Sequence, residues 1–329
     1  MPSRPIGKRT SLKDENGQVI IMAAVIAFGL LVMAALVIYL GSWFVTDRHL
    51  QQGADASALA GVEYIALVET QSGVPTSNGC GQTSDGVQCA KTYAGLNKVG
   101  LDSDPVFVFS NQGVKVKVKE TVPGFGVGFL NIASTRRASA TAVASPLTTA
   151  TDILPFAVDQ GQANWRSGSL TTLKFTKSGT GDFDLLDLGQ PPVNSSTCGF
   201  NTPGIANCIN TLCGGCSATI STSNPSTDFP PAKGAKFNSV QIKDAVNALA
   251  GKTVLVPIYS SLDSSGNYII VGFGAFQLAT PSPFSAHGTD SYLTGTFEKE
   301  ITSVTGSGTI GASCSGPTFF GVCEVSLVQ

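Results

Sequence analysis

The stretch YLGSWFVTDRHLQQGADASALAGVEYI, residues 39–65, passes from apolar sequence into a pattern of small residues without a break. Neither a proline nor a cluster of turn residues interrupts the chain between Gly17 and Glu69. Proline and turn clusters are the usual signals that end a helix. The stretch therefore predicts one continuous helix of about 50 residues, about 75 Å long at about 1.5 Å per residue.

The first half of this helix is apolar and long. Residues 17–46 contain no charged side chain, and about 20 apolar residues suffice to cross a bilayer core. A buried core helix of this length would normally show a polar stripe, and this run shows none. A cleaved signal peptide would have an apolar region of only about 7–15 residues. The pattern favours a retained membrane anchor over these two alternatives.

Charges on either side of the apolar run predict its orientation. The preceding basic residues are Arg4, Lys8, Arg9 and Lys13. Between residues 47 and 90, Arg48 is the only lysine or arginine. Because basic flanks stay in the cytoplasm, residues 1–16 are expected inside and residues 47–329 outside the cytoplasmic membrane. Trp43 and Phe44 are expected at the outer interface, where aromatic rings are favoured.

The second half of the helix carries small residues at helical spacing. Leu50 and Ile65 extend a face whose small members recur three or four residues apart. Small residues allow another backbone to approach closely. We therefore expect this half to pack on a sheet or on another helix. The predicted packing face is Gly53, Ala54, Ser57, Ala58 and Gly61.

Strand patterns begin after a region expected to be a loop that holds Cys80 and Cys89. PVFVFS (105–110) is a candidate strand, and GVKVKVKE (113–120) alternates valine with lysine, as half-buried strands do. PGFGVGFLNI (123–132) is apolar and is interpreted as a short helix or a turn. RRASATAVAS (136–145) places alanines on one strand face, which suits the close approach of a helix with small residues.

The remainder, residues 151–329, is predicted to be rich in strands. SLTTLKFT, TVLVPIYS, YIIVGFGAFQL, TGTFEKEITSV and GVCEVSLV are the candidates, and SSGN between the second and third predicts a hairpin. One helix is expected, with Asn238 or Ser239 as its cap and Gly251 at its end. Its predicted apolar face is Ile242, Ala245, Val246 and Leu249.

All eight cysteines follow the apolar run. An even number in an exported segment indicates disulfides, for which the candidates are Cys80, Cys89, Cys198, Cys208, Cys213, Cys216, Cys314 and Cys323. We expect mostly local bridges: Cys80–Cys89, Cys314–Cys323 and two within the 198–216 group. Cys213-Gly-Gly-Cys216 also has the spacing of a metal or redox motif, and these alternatives remain open.

Composition and motifs exclude several functional classes. Net charge is −2, only 13% of residues are charged, and no basic patch indicates nucleic acid as a partner. The chain contains no G-x-S-x-G, H-E-x-x-H or phosphate-binding G-x-x-x-x-G-K-[ST] pattern. His287, in SAHGTDS, is interpreted as part of a loop rather than a catalytic site. We therefore predict no enzyme activity, no cofactor and no small-molecule substrate.

Acidic residues in GDFDLLDLG, namely Asp182, Asp184 and Asp187, could bind Ca²⁺ through carboxylate oxygens. A solvated strand edge or turn is the favoured interpretation. DSSGN, beginning at Asp263, is likewise predicted to be a turn. No metal site is assigned.

The N-terminal region resembles TadE/TadG-like proteins of bacterial Flp pilus assembly. The family pattern has Gly-Gln entering an apolar helix, then R-x-L-Q, then ADAAALAGA. Here these motifs are Gly17-Gln18, Arg48-His49-Leu50-Gln51 and ADASALAG at 54–61. VKVKVKETVPGFGVGFLNIASTRRASATAVA also looks like the strand, short helix and alanine-rich strand of such proteins. The resemblance covers residues 14–145 well and the rest loosely. Larger members carry a metal-dependent D-x-S-x-S loop, which is absent here.

Together these observations predict an α+β fold. A transmembrane helix (17–46), preceded by a cytoplasmic segment (1–16), extends into a long pilin-like helix packed on a small antiparallel sheet. The stem and sheet are assigned to residues 47–150, and a β-rich, disulfide-bonded exported domain to residues 151–329. The resemblance implies an assembly protein of a Flp pilus or related appendage, with the membrane and other envelope proteins as partners. The alternative is a binding or hydrolytic module that uses the helix only as a tether.

Overall fold

The structure is a computed structural model that describes residues 15–68, 85–122, 134–164, 168–175, 182–212, 217–219, 228–233, 236–287, 290–302, 314 and 319–328. Within these residues the helices are α1 (Glu15–Val68), α2 (Gly86–Leu96), α3 (Thr202–Asn210) and α4 (Val240–Asn247). The strands are β1 (Gly100–Val108), β2 (Gly113–Val122), β3 (Ser134–Pro146), β4 (Thr149–Thr151), β5 (Phe156–Asp159), β6 (Leu170–Phe175), β7 (Phe183–Leu185), β8 (Ser217–Thr219), β9 (Asp228–Phe229), β10 (Thr253–Leu262), β11 (Tyr268–Leu278), β12 (Phe284–His287), β13 (Asp290–Glu298), β14 (Glu300–Thr302) and β15 (Val322–Val328).

Helix α1 is continuous, as predicted, and its two halves have different surroundings. Between Val19 and Val45 its large apolar side chains are exposed, and this segment is long and apolar enough to cross a membrane. From Leu50 onward one face is buried. The same helix therefore serves as an apolar rod at one end and as part of a packed core at the other.

The buried half of α1 packs on a five-stranded sheet in the order β1-β2-β3-β15-β14. β2 buries Val114, Val116 and Val118 and turns its lysines outward, as the alternation predicts. In β3, Ala140, Ala142 and Ala144 join the same buried cluster as the helix. The small alanines let the helix lie close to the sheet, and the predicted helix-on-sheet arrangement is confirmed.

The larger sheet closes on itself. β13 pairs with β6 through its first part and with β11 through its last part. Together with β7, β5 and β10 these strands form a closed ring, which we call the barrel. Gly295 lies where β13 contacts both neighbours, and a Cβ there would stand 2.6 Å from the Phe276 ring. A residue without a side chain is needed at this crossing.

The chain returns from the barrel to the first sheet. β15 pairs antiparallel with β3, and Leu147 donates its backbone N–H to the carbonyl of Val322. One buried cluster runs from Leu50 of α1 into Val256 of the barrel. The division at residue 150 stays a prediction, and the structure adds that β15, from the later part, lies in the sheet of the earlier part.

Most strand and hairpin predictions are confirmed, including β6, the β10–β11 hairpin and β15. Helix α4 is capped by Ser239, whose Oγ accepts from the N–H of Ile242 at 3.3 Å. Two helices were missed. Cys89 lies on α2 rather than in a loop, because Asp85 caps a short helix there by accepting the Gln88 N–H. Asn201 caps α3 in the same manner. PGFGVGFLNI lies outside the described residues.

Candidate functional site at the helix and sheet

The small-residue face of α1 is covered by the protein itself. Gly53, Ala54, Ser57, Ala58 and Gly61 all lie on its buried side, and the Ser57 hydroxyl donates to the Gly53 carbonyl. A Cβ on Gly53 would stand 2.6 Å from the Val99 side chain. The face that sequence predicted for packing is therefore occupied by elements of the same chain.

Helix α2 supplies the closest of these contacts. A Cβ added to Gly61 would stand 2.7 Å from the Gly86 carbonyl oxygen and 3.2 Å from both Ala90 and Val114. These distances show that α2 and β2 press directly on the α1 backbone. A flexible tether would not have such contacts, so this half of α1 is a structural element.

The end of the apolar run meets the sheet at Trp43. The Arg136 guanidinium lies 3.8 Å from the centre of the Trp43 ring, and its Nε lies 3.6 Å from an Asp47 carboxylate oxygen. Tyr39 also packs on Trp43, with 4.8 Å between the two ring centres. Phe44, expected at the interface together with Trp43, is 72% exposed. β3 is thus attached to α1 at the level where the charged sequence begins.

Charged groups surround this junction on both faces of the sheet, with Asp102 on the outward face and Glu120 on the side of the helix. Asp102 lies 3.2 Å from Arg137 and 3.4 Å from Lys119. The Arg137 guanidinium, and after it the Lys119 ammonium, hold the pKa of Asp102 below its ordinary value. His49 lies 3.7 Å from Glu120. Because these groups are exposed, their contribution to stability is small, and they matter mainly for the charge of this surface.

Two disulfides are formed between described cysteines. Cys198–Cys208 joins the loop before α3 to that helix, and Cys314–Cys323 joins Cys314 to β15. Cys89 is also disulfide-bonded. Cys80, Cys213 and Cys216 lie outside the described residues, so the Cys80–Cys89 pairing and the alternatives for Cys213-Gly-Gly-Cys216 stay predictions. The bonds of Cys198 and Cys208 leave those two cysteines with no role as metal ligands.

The acidic residues of GDFDLLDLG were predicted to lie at a solvated strand edge or turn, and solvation is wrong for Asp184 and Asp187. Asp184, on β7 in the barrel wall, is 9% exposed, and Asp187, two residues after β7, is 6% exposed. The Tyr268 hydroxyl donates to Asp184 at 2.5 Å, and burial raises the pKa of Tyr268. Burial also raises the pKa of Asp187, although its carboxylate accepts the Gly189 N–H. The local sequence of GDFDLLDLG could not reveal that Asp184 and Asp187 are buried, because their burial depends on closure of the barrel.

A third buried acid lies on β15 in the first sheet. Glu324 of β15 is 3% exposed, and its Oε1 has no hydrogen-bond partner. Burial raises the pKa of Glu324. Ser145, its register partner on β3, is also buried with an unpaired hydroxyl. Unpaired buried polar atoms of this kind cost stability.

His287 of β12 lies opposite Asp290 of β13 in the strand register. Asp290, the acid nearest His287 in sequence, forms an ion pair with Lys174 at 2.8 Å. Asp263 holds the predicted DSSGN turn by accepting the backbone N–H groups of Ser265 and Asn267. In the part of the chain that the structure describes, no group of three or more His, Cys, Asp or Glu side chains could hold a metal ion.

The fold therefore defines a class: an α+β protein in which a long apolar helix continues onto a sheet that is antiparallel except for its parallel β14–β15 pair, and a disulfide-bonded, β-rich part follows. Residues 17–63 match the family model described as putative Flp pilus-assembly TadE/G-like. The match spans the apolar run and the small-residue face, which confirms the resemblance for residues 17–63, and its extension to residue 145 and beyond stays a prediction. No curated protein and no solved structure matches the chain.

Proposed function

We propose that the protein is a membrane-anchored assembly or structural component of a Flp (Tad-type) pilus or a related envelope appendage. The observation that carries this proposal is the double use of α1, which is exposed and apolar from Val19 to Val45 and buried against its own sheet from Leu50. A membrane helix that continues rigidly into a folded core transmits position and force between the bilayer and the exported part. The family match to residues 17–63 supports the same function.

The proposed orientation places residues 1–16 in the cytoplasm and residues 47–329 outside. Arg4, Lys8, Arg9 and Lys13 precede the span, and positive flanks are retained inside. Disulfides in the later part agree with an oxidising compartment. Protease added to spheroplasts should digest the bulk of the protein and leave a small membrane fragment. Protection of the bulk would contradict this orientation.

The exported part is proposed to contact other pilus-assembly or envelope proteins. Deletion of the gene in the native bacterium should abolish Flp-type fibres in electron micrographs, and the wild-type gene should restore them. A variant with a disturbed stem, Gly61→Leu, should fail to restore fibres, because the new side chain meets the Gly86 backbone. Glu63→Ala, on the exposed side of the same helix, is the matched control and should restore them. Normal fibres in the deletion strain would refute the proposal.

A further inference from the structure

One end of the first sheet lies beside the part of α1 where the apolar run ends and the charged sequence begins. Gln51 of α1 lies beside Ser139 of β3, at 3.5 Å between the amide nitrogen and the backbone oxygen. Three residues earlier on β3, Arg136 lies against Trp43 and Asp47. β3 therefore approaches the apolar span as its residue numbers fall.

Strands β2 and β3 continue past the position of Arg136. Arg136 pairs with Glu120, and the ladder extends to Ser134 paired with Val122. At about 3.3 Å per residue the strands run about 7 Å beyond Arg136. Trp43 lies inside the charge-free run, and tryptophan in such a position lies at headgroup level. When α1 spans a bilayer, the ends of β2 and β3 must therefore enter the headgroup layer around it.

On the outward face at this end the charge suits lipid phosphate, whereas Arg136 on the side of the helix is balanced by Asp47 and Glu120. Lys119 and Arg137 lie opposite each other on the outward face and share one carboxylate, Asp102. Lys117, two residues before Lys119 on β2, forms no ion pair with any described residue. Cations near a surface of anionic lipid are attracted over about one Debye length, which is about 8–10 Å in physiological salt.

We propose that this end of the sheet, which we call the membrane rim (Lys119 of β2 and Thr135, Arg136 and Arg137 of β3), rests on the phospholipid headgroups around α1. Lys119 and Arg137 contact lipid phosphates, while Arg136 stacks on Trp43 and fixes the angle between sheet and span. The inference rests on the proposed function, because it requires α1 to be in a membrane. It adds a second membrane contact that sets the height and tilt of the exported part.

The test uses the full chain reconstituted into vesicles of phosphatidylcholine with phosphatidylglycerol. A fluorophore is attached to a cysteine introduced at Thr135, which is exposed, and quenched by a nitroxide on lipid headgroups. Quenching should be several times stronger at Thr135 than at the exposed Asn111, in the β1–β2 turn at the other end of the sheet. Ser139, about 13 Å further along β3, should be intermediate. Equal, weak quenching at all three positions would overturn the proposal.

A charge comparison identifies the lipid as the partner. The double change Lys119→Gln and Arg137→Gln should weaken quenching at Thr135, as should high salt, whereas Lys243→Gln on the exposed side of α4 should not. In vesicles of phosphatidylcholine alone, the double change and high salt should each weaken the quenching at Thr135 by a smaller amount. If the rim instead contacts a neighbouring protein, Thr135 would remain unquenched in these vesicles, which contain none, and the proposal would fail.

The failure of this inference can be separated from failure of the anchor. Alkaline extraction of the vesicles measures whether the protein is integrated. Release of the protein would refute membrane anchoring itself. Retention of the protein together with an unquenched Thr135 would refute the membrane rim alone. If the label at Thr135 prevents folding, the difference between Ser139 and Asn111 carries the same comparison.

Discussion

Gly61 and Gly86 meet backbone to backbone: a Cβ on either residue would stand 2.7 Å from the carbonyl oxygen of the other. This reciprocal contact locks α2 onto the outer half of α1. Backbone atoms cannot rotate away as a long side chain can, so the contact tolerates no added bulk. Among Gly29, Gly41, Gly53 and Gly61 of α1, Gly61 is the one at which an added Cβ would meet a backbone atom, and this contact provides the first prediction.

Gly61→Ala should lower the free energy of unfolding by about 1–3 kcal/mol, because overpacking at a backbone contact outweighs the gain in helix propensity, which is at most about 1 kcal/mol. The matched control is Gly41→Ala on the same helix, where no atom lies within 4 Å of the new Cβ. That change should leave stability unchanged or slightly higher. Thermal unfolding of the detergent-solubilised protein measures both, and equal stability of the two variants would show that α2 does not pack as described.

Glu324 predicts a dependence of stability on pH. Because burial raises its pKa in the folded state, its contribution to stability is fully present below the ordinary carboxyl pKa and is lost as pH rises through the folded pKa. The free energy of unfolding of the Glu324→Gln variant, measured relative to the wild type at the same pH, should therefore be higher at neutral pH than at pH near 4. Denaturant unfolding of both proteins across this range checks the sign. Parallel curves would mean that Glu324 is not buried as described, and the exposed Glu63→Gln serves as the control.

The hydrogen bond between Tyr268 and Asp184 should stabilise the barrel. Tyr268→Phe removes the donor and leaves a buried carboxylate with one partner fewer, which should cost about 1–3 kcal/mol. Asp184→Asn retains an acceptor oxygen for the tyrosine and should cost less. The measurement is the midpoint of denaturant unfolding. A larger loss of stability from Asp184→Asn than from Tyr268→Phe would show that Tyr268 is not the main hydrogen-bond partner of Asp184.

Peptide mapping without reduction should recover Cys198–Cys208 and Cys314–Cys323. Replacement of both Cys314 and Cys323 by serine should lower the free energy of unfolding by about 2–4 kcal/mol, the typical contribution of one native bridge. The loss should be accompanied by faster amide exchange in β15, to which Cys323 belongs. If amide exchange in β15 of this variant were as slow as in the wild type, the bridge would not be what holds the strand in the sheet. The predicted Cys80–Cys89 bridge is tested in the same map.

Local patterns in the sequence were sufficient for the elements whose burial has a regular period. The uninterrupted apolar and small residues of 17–68 predicted α1 over almost its full length. The alternation of Val114, Val116 and Val118 with lysines predicted both β2 and its buried face. Such predictions succeed because a helix and a strand each repeat their side-chain direction over a few residues, independent of the rest of the chain.

Only the tertiary structure decided which elements meet. The sequence marked Gly61 as a close-packing position but did not identify α2 as its partner, since α2 is short and contains glycines. Nor did it show that β13 closes the barrel, that β15 returns to β3, or that Asp184 and Asp187 are buried. Each of these depends on contacts between residues far apart in the chain, and burial of a polar group becomes favourable only when its distant partner is in place.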